Sequence, residues 1–140
     1  MNIEYMKIAL KEALKASKRD EVPVGAVIVY QDKCISKGYN NREHTNNILG
    51  HAEIIAIKKA SKKLHTWKLM ECDLYVTLKP CKMCEEVIKQ SRIRNVFYIL
   101  EKPDSKREYD KTNFNLIKES MSYQQIIGDY FKTKRTKKED

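Results

Sequence analysis

The chain has 140 residues, of which 41% are hydrophobic and 34% charged, a balance typical of one globular domain over residues 1–140 and not of a disordered polypeptide. No apolar run approaches the ~20 residues needed to span a bilayer, and the N-terminus lacks a signal-peptide pattern, so we expect a cytoplasmic protein with no membrane contact. The formal net charge of +9 fits a nucleic acid partner and fits a solvated lysine-rich surface equally well.

Hydrophobic periodicity predicts a helix followed by two strands in the first forty residues. Asn2 is suited to cap the helix. Its apolar positions at helical spacing are Ile3, Met6, Leu10, Ala13 and Leu14. The apolar run 22–30 predicts a buried strand, and the turn 31–33 leads to an antiparallel strand over 34–39. The polar segment 40–47 predicts an exposed loop of the kind that often contacts substrate.

Strands and helices continue to alternate after this loop. The further predicted elements are a helix over 51–64, a strand over 74–78, a helix over 81–91, a strand over 94–99, a short fifth strand over 114–117, a final helix over 122–132 and a basic tail from about residue 132. Such alternation implies crossover connections, with helices on both faces of one sheet. We therefore predict a three-layer α/β/α domain with a central mixed five-stranded sheet.

Two short motifs carry the chemistry of this sequence. His51 and Glu53 form a His-x-Glu motif, and Pro80, Cys81 and Cys84 form Pro-Cys-x-x-Cys. Structural zinc sites use four protein ligands, whereas catalytic sites use three and leave a position for water. His51, Cys81 and Cys84 make three, which predicts one catalytic Zn2+ per chain. Glu53 is then free to move protons beside the activated water.

The spacing within each motif constrains where it can lie. Cys81 and Cys84 share one helix face at i and i+3, and the positive helix N-terminus favours their thiolate form. At i and i+2 of an ideal helix, His51 and Glu53 would point nearly opposite ways. We therefore expect His51 at or near the helix terminus, where Gly50 would permit an unusual backbone path.

The other cysteines and histidines lack such a context. Cys34 and Cys72 fall inside apolar, strand-like segments, so we expect small core residues and not disulfide partners. His44 lies in the polar loop and His65 at a basic helix end. We expect both histidines to be ordinary surface residues.

Together these motifs match the H-x-E…P-C-x-x-C signature of zinc-dependent base deaminases, and their flanks resemble the bacterial tRNA adenosine deaminases of the cytidine deaminase-like superfamily. The resemblance covers about residues 1–98. Its segments are 21–27, 39–43, 51–57, 67–69, 74–84 and 91–93. It implies zinc on His51, Cys81 and Cys84, proton shuttling by Glu53, and a substrate contact from Asn40. It also implies a homodimer that deaminates the wobble adenosine of a tRNA anticodon stem-loop to inosine.

Several segments depart from that family, and they are those that would shape the pocket rim and the RNA path. They are 47–50, Lys79, 85–86 and 99–102. Two other functions therefore stay open: a deaminase of a free base, nucleoside or nucleotide of the guanine or cytosine type, and a non-catalytic zinc-stabilised RNA-binding protein. Glu53 argues against the last, because a structural zinc does not need it. Tyr130 and Phe131, before the basic tail, could stack on unpaired bases or pack in the core.

Overall fold

The computed structural model describes residues 2–101 and residue 132, and the elements below belong to the compact unit Met1–Pro103. In chain order they are α1 (Ile3–Lys18), β1 (Gly25–Tyr30), β2 (Lys33–Tyr39), α2 (Arg42–Thr45), α3 (Ala52–Leu64), β3 (Cys72–Leu78), α4 (Lys82–Gln90) and β4 (Asn95–Leu100). Several sequence predictions lie outside the described residues. They concern the fifth strand, Tyr130, Phe131, and the final helix and tail apart from residue 132. That residues 1–140 form a single domain therefore stays a prediction.

The sheet has the strand order β2-β1-β3-β4 in the described part of the chain. β1 runs antiparallel to both β2 and β3, whereas β3 and β4 are parallel. β2 and β3 therefore point the same way and end at the same edge of the sheet. α3 connects β2 to β3, and α4 connects β3 to β4, so the predicted mixed sheet with crossover helices is confirmed.

Helices cover both faces of the sheet, which explains why β1 is an unbroken apolar run. The core on the α1 face contains Met6, Ala9, Val27, Val29 and Tyr75. The core on the opposite face contains Ala26, Ile28, Leu74 and Val76 from the sheet, with Ala52, Ala56, Ile57, Ala60 and Ile88 from α3 and α4. Successive strand residues thus alternate between two cores, and the predicted three-layer architecture is confirmed.

The buried face of α1 differs from the predicted one. Asn2 caps the helix as predicted, accepting a hydrogen bond from the Glu4 N–H at 3.0 Å. The residues that pack on the sheet are largely small, however, and they are Met6, Ala9, Ala13 and Ala16. Ile3, Leu10 and Leu14 are exposed. Small residues prevail because α1 lies very close to β1, where a Cβ on Gly25 would collide with the Ala9 carbonyl oxygen.

We expect Gly25→Ala to lower the free energy of unfolding, because the added methyl group must push α1 away from the sheet. Overpacking of this kind typically costs ~1–3 kcal/mol. Denaturant unfolding measures the change, with the exposed Lys11→Ala on the same helix as the control, expected within about 0.5 kcal/mol of the parent. Equal stability of the two variants would contradict the close packing of α1 on β1.

The segment predicted as an exposed loop over residues 40–47 contains the short helix α2. The sequence prediction of a plain loop was therefore wrong at this point. The N-cap residue Asn41 makes no side-chain capping bond. Instead the buried Glu21 carboxylate accepts hydrogen bonds from the backbone N–H groups of Arg42, Glu43 and His44. The helix depends on a residue 21 to 23 positions earlier in the chain, which local sequence cannot reveal.

Three further predictions concerned the cysteines, the start of β1 and the absence of a membrane-spanning helix. All four cysteines are free; Cys72 is buried, while Cys34 is half-buried and packs beside the α1 core. β1 begins at Gly25 instead of residue 22, and Val22 is exposed. None of the helices in the described residues is long and apolar enough to cross a bilayer.

Candidate functional site

The two chemical motifs meet where α3 and α4 begin. His51 is the N-cap residue of α3 and Cys81 is the N-cap residue of α4. Both helices start at the edge of the sheet where β2 and β3 end, a frequent place for ligand sites in α/β proteins. The requirement that His51 lie at the helix terminus is met. Its extended backbone (φ −80°, ψ 142°) lets its side chain and that of Glu53 face one site.

Three metal-binding atoms converge at this junction. The His51 Nδ1 atom lies 3.8 Å from Cys81 Sγ and 3.4 Å from Cys84 Sγ. The ligand atoms of all three residues lie within 4.8 Å of one another. In a tetrahedral zinc site, bonds of ~2.3 Å to sulfur and ~2.0 Å to nitrogen place such atoms roughly 3.5 Å apart. The donor set and its spacing therefore fit zinc.

The two cysteines are chemically coupled. Cys84 is a hydrogen-bond partner of Cys81, which lowers the pKa of the Cys81 thiol to about 3 and raises that of Cys84. His51 lowers the pKa of Cys81 further. A divalent cation bound between the two sulfur atoms would allow both to be thiolates, because metal binding releases protons from its ligands.

Glu53 lies on the first turn of α3, next to these ligands. Its side chain contacts Cys84, and the residue is only 4% exposed. Burial raises the pKa of the Glu53 carboxyl, because the carboxylate form loses solvation. A carboxyl group with a raised pKa can both accept and return a proton near neutral pH.

Asn40 directly follows β2, and its side chain is hydrogen-bonded to the start of α3. Its side-chain oxygen accepts a hydrogen bond from the Ala52 N–H at 2.8 Å, which satisfies one unpaired donor of the helix terminus. Asn40 also lines the pocket beside the candidate metal ligands.

Gly50 has no positive φ, so the prediction of an unusual backbone path at this residue is wrong. A glycine is needed because a Cβ would lie 2.7 Å from the Asn41 carbonyl oxygen.

The pocket contains residues that the sequence motifs did not identify. Besides Asn40, His51, Glu53 and Cys81, it is lined by Val22, Val24, Arg42, Leu78 and Lys79. His65 is exposed, as predicted. His44 is not an ordinary surface residue, because its Nδ1 atom lies 2.7 Å from the buried carboxylate of Glu21. An acid beside the apolar strand is the only signal the sequence holds for Glu21.

Most of the chain matches a known protein family. The family model for the cytidine and deoxycytidylate deaminase zinc-binding region matches residues 1–100. The chain belongs to this deaminase family. The zinc-binding character of the matched region agrees with the donor set formed by His51, Cys81 and Cys84.

Individual relatives place the chain on one branch of the family. The tRNA-specific adenosine deaminase of Aquifex aeolicus (strain VF5) is 39% identical over 127 residues, which span 91% of this chain and 83% of the relative. A solved tRNA:A34 deaminase, described for A-to-I editing at the wobble position of transfer RNA, is 41% identical with a TM-score of 0.72, covering 74% and 75% of the two chains. The guanine deaminase of Bacillus subtilis is 31% identical with a TM-score of 0.76, covering 92% and 95%. The chain therefore belongs to the tRNA adenosine deaminase branch, with a close fold relationship to guanine deaminase.

Proposed function

We propose that this protein is a zinc-dependent hydrolase that converts adenosine to inosine at the wobble position of a tRNA anticodon. One observation carries the proposal: three side chains able to ligate a metal lie together, and two of them, His51 and Cys81, line one pocket with the buried carboxyl group of Glu53. The chain that holds this site lies on the tRNA adenosine deaminase branch. A purely structural zinc site has no use for Glu53. Its position beside the ligands therefore supports catalysis over a non-catalytic RNA-binding role.

The metal and its ligands have distinct parts in this proposal. His51, Cys81 and Cys84 would hold one zinc ion per chain, and three protein ligands would leave a position for water. Bound zinc would supply Lewis-acid activation of the attacking water. Because two thiolate ligands would neutralise much of the charge of the ion, the reaction also needs a protein group that takes the proton of the water.

Glu53 is that group. It accepts the proton of the attacking water as oxygen bonds to the ring carbon that bears the exocyclic amine. It then delivers that proton to the adjacent ring nitrogen, takes the remaining proton of the new hydroxyl group and passes it to the exocyclic amine. The bond between the ring carbon and the amine breaks, and ammonia leaves. The Asn40 side-chain oxygen is engaged by Ala52, so the Asn40 amide N–H groups are left to donate to an acceptor on the base.

The charges around the pocket favour a nucleotide within a polyanion. Arg42 and Lys79 both line the pocket. The Lys79 side chain is 42% exposed, and its ammonium forms a loose ion pair, 3.7 Å from the Glu101 carboxylate. Such exposed pairs contribute little, so Lys79 can turn to a phosphate. A neutral free base carries no phosphate for either cation.

Deamination of free guanine is the second candidate, favoured by the fold relationship that covers 92% of this chain. The test compares turnover of an anticodon stem-loop with turnover of free adenosine, guanine and cytosine nucleotides, using inosine and ammonia as readouts. We expect turnover of the stem-loop and little of the free compounds. Turnover of guanine with none of the stem-loop would replace the tRNA assignment and leave the zinc deaminase assignment standing.

We also propose that the protein is a homodimer and acts in the cytoplasm. The family resemblance implies a homodimer, and a tRNA substrate implies a cytoplasmic site of action. The net charge of +9 agrees with a partner that carries many phosphates.

We expect stem-loop binding to weaken steeply with salt, by roughly 0.7 log units per phosphate contact per log unit of salt. Lys79→Gln and removal of residues 132–140 should each reduce this slope, because each removes cations that contact phosphates. Equilibrium binding over a salt series measures it. Lys33→Gln is the control for net charge, since Lys33 lies at the other end of β2. Equal slopes for Lys79→Gln and Lys33→Gln would contradict a phosphate contact at Lys79.

A further inference from the structure

Glu21 is a buried charge outside the catalytic group. It follows α1 in the chain, and its side chain is 2% exposed. Burial of an ionised carboxylate is unfavourable unless hydrogen bonds or charges compensate for the lost solvation. The ionised Glu21 carboxylate therefore requires hydrogen-bond donors or a cation close by.

Within the described residues, the hydrogen bonds of the Glu21 carboxylate all go to α2. Its Oε1 atom accepts the N–H groups of Arg42 at 2.9 Å and Glu43 at 3.0 Å. Its Oε2 atom accepts the His44 N–H at 3.1 Å and lies 2.7 Å from the His44 ring Nδ1. His44 first, and then the backbone N–H groups, hold the pKa of Glu21 down at about 2. Glu21 is therefore ionised at neutral pH and ties down the first turn of α2.

The loop that contains α2 leads directly into the pocket. Before α2, the Asn40 side chain lines the pocket and caps α3 through Ala52. Arg42, held by Glu21 through its backbone, also lines the pocket. Across the loop, the Asn41 N–H donates to the Gly50 carbonyl at 2.8 Å, immediately before His51. Movement of α2 would therefore move Arg42 and loosen Asn40.

We propose that Glu21 and His44 form a clamp that positions the pocket loop, residues 40–50, for substrate binding. The two are positioning residues, since neither lines the pocket, and the inference rests on the proposed function of that pocket. A loop held in its binding conformation before substrate arrives loses less conformational entropy on binding. Supporting contacts of this kind decide how accurately a site is held.

Glu21→Gln tests the clamp, because it keeps the shape of the side chain and removes its charge. We expect the KM for the stem-loop to rise by about tenfold, the effect of losing a charge-assisted hydrogen bond, with kcat and zinc content nearly unchanged. Asp20→Asn is the matched control, since Asp20 is the exposed carboxylate next to Glu21 in the chain and lies outside the pocket loop. A KM equal to that of the control, or a loss confined to kcat, would overturn the proposal.

Amide hydrogen exchange provides a readout that does not depend on activity. Without substrate, exchange at residues 42–44 should speed up in Glu21→Gln and stay at the parental rate in Asp20→Asn. Unchanged exchange would contradict the clamp even if KM rose. If the parent enzyme deaminates guanine and not the stem-loop, the proposed function falls, and the same comparison of variants is made with the KM for guanine.

His44 should act only through Glu21. We expect His44→Ala to raise KM in the parent protein and to add nothing in the Glu21→Gln background, because contacting residues are not additive. His44→Asn should restore much of the loss, since its amide nitrogen stands as many bonds from Cα as the histidine Nδ1 does. Additive effects of Glu21→Gln and His44→Ala would show that the pair does not act as a unit.

Discussion

Glu53→Gln is expected to retain zinc and the fold while losing about 10²–10⁴-fold in turnover, the usual contribution of a general acid–base group. The substitution removes a proton carrier and not a metal ligand. The buried site should accept glutamine because its volume is nearly the same. Single-turnover deamination of the stem-loop measures the loss, with zinc content and circular dichroism measured on the same samples.

Glu4→Gln is the control for removing one carboxylate. Glu4 is exposed on α1 and lies 3.3 Å from the exposed Lys7, so the rate of this variant should stay near that of the parent. A near-normal rate for Glu53→Gln would mean that another group moves the proton. Loss of zinc from Glu53→Gln would mean that Glu53 is itself a ligand.

Cys84→Ser is expected to remove zinc and abolish turnover. Cys84 is fully buried, and its Sγ atom lies 3.4 Å from the His51 ring. A serine hydroxyl is a poor zinc ligand and cannot replace the thiolate. The variant should also unfold at a lower temperature, because binding of a metal to the folded state stabilises that state by mass action. Elemental analysis and thermal unfolding, with and without a chelator, measure both effects.

Cys34→Ser is the matched control, since Cys34 is half-buried and lies in β2 away from the metal-binding atoms. It should keep one zinc per chain and parental turnover. Parental zinc content in Cys84→Ser would remove Cys84 from the ligand set. A parental protein with substantially more or less than one zinc per chain would contradict the predicted stoichiometry.

The proximity of the site residues was largely readable from the sequence, because each motif is short. Cys81 and Cys84 are three residues apart, so any helix beginning near Pro80 brings them together. The spacing of His51 and Glu53 required a helix terminus, and His51 is an N-cap residue. The role of Gly50 was misjudged, because its Cβ clash is with Asn41 across the loop. That contact forms only when the chain folds back.

Two features could not be predicted from sequence spacing: the contact between Glu21 and α2, and the meeting of Arg42 and Lys79 at one pocket. Glu21 reaches α2 across 21 to 23 residues, and no periodic pattern relates residues so far apart. Arg42 begins α2, shortly after β2, and Lys79 follows β3. They meet at one pocket only because β2 and β3 end at the same edge of the sheet. Their shared position follows from the pairing of both strands with β1.

By itself, the sequence determined the alternation of helices and strands, the burial of β1 and the two motifs that predict a zinc site. These features depend on neighbours two to four residues apart, whose spacing is visible in the chain. Only the tertiary structure decided the strand order, the close approach of the alanine face of α1 to Gly25, and the burial of Glu21 beneath α2. These depend on which surfaces pack together, and packing between distant segments is set by the shape and volume of the whole core.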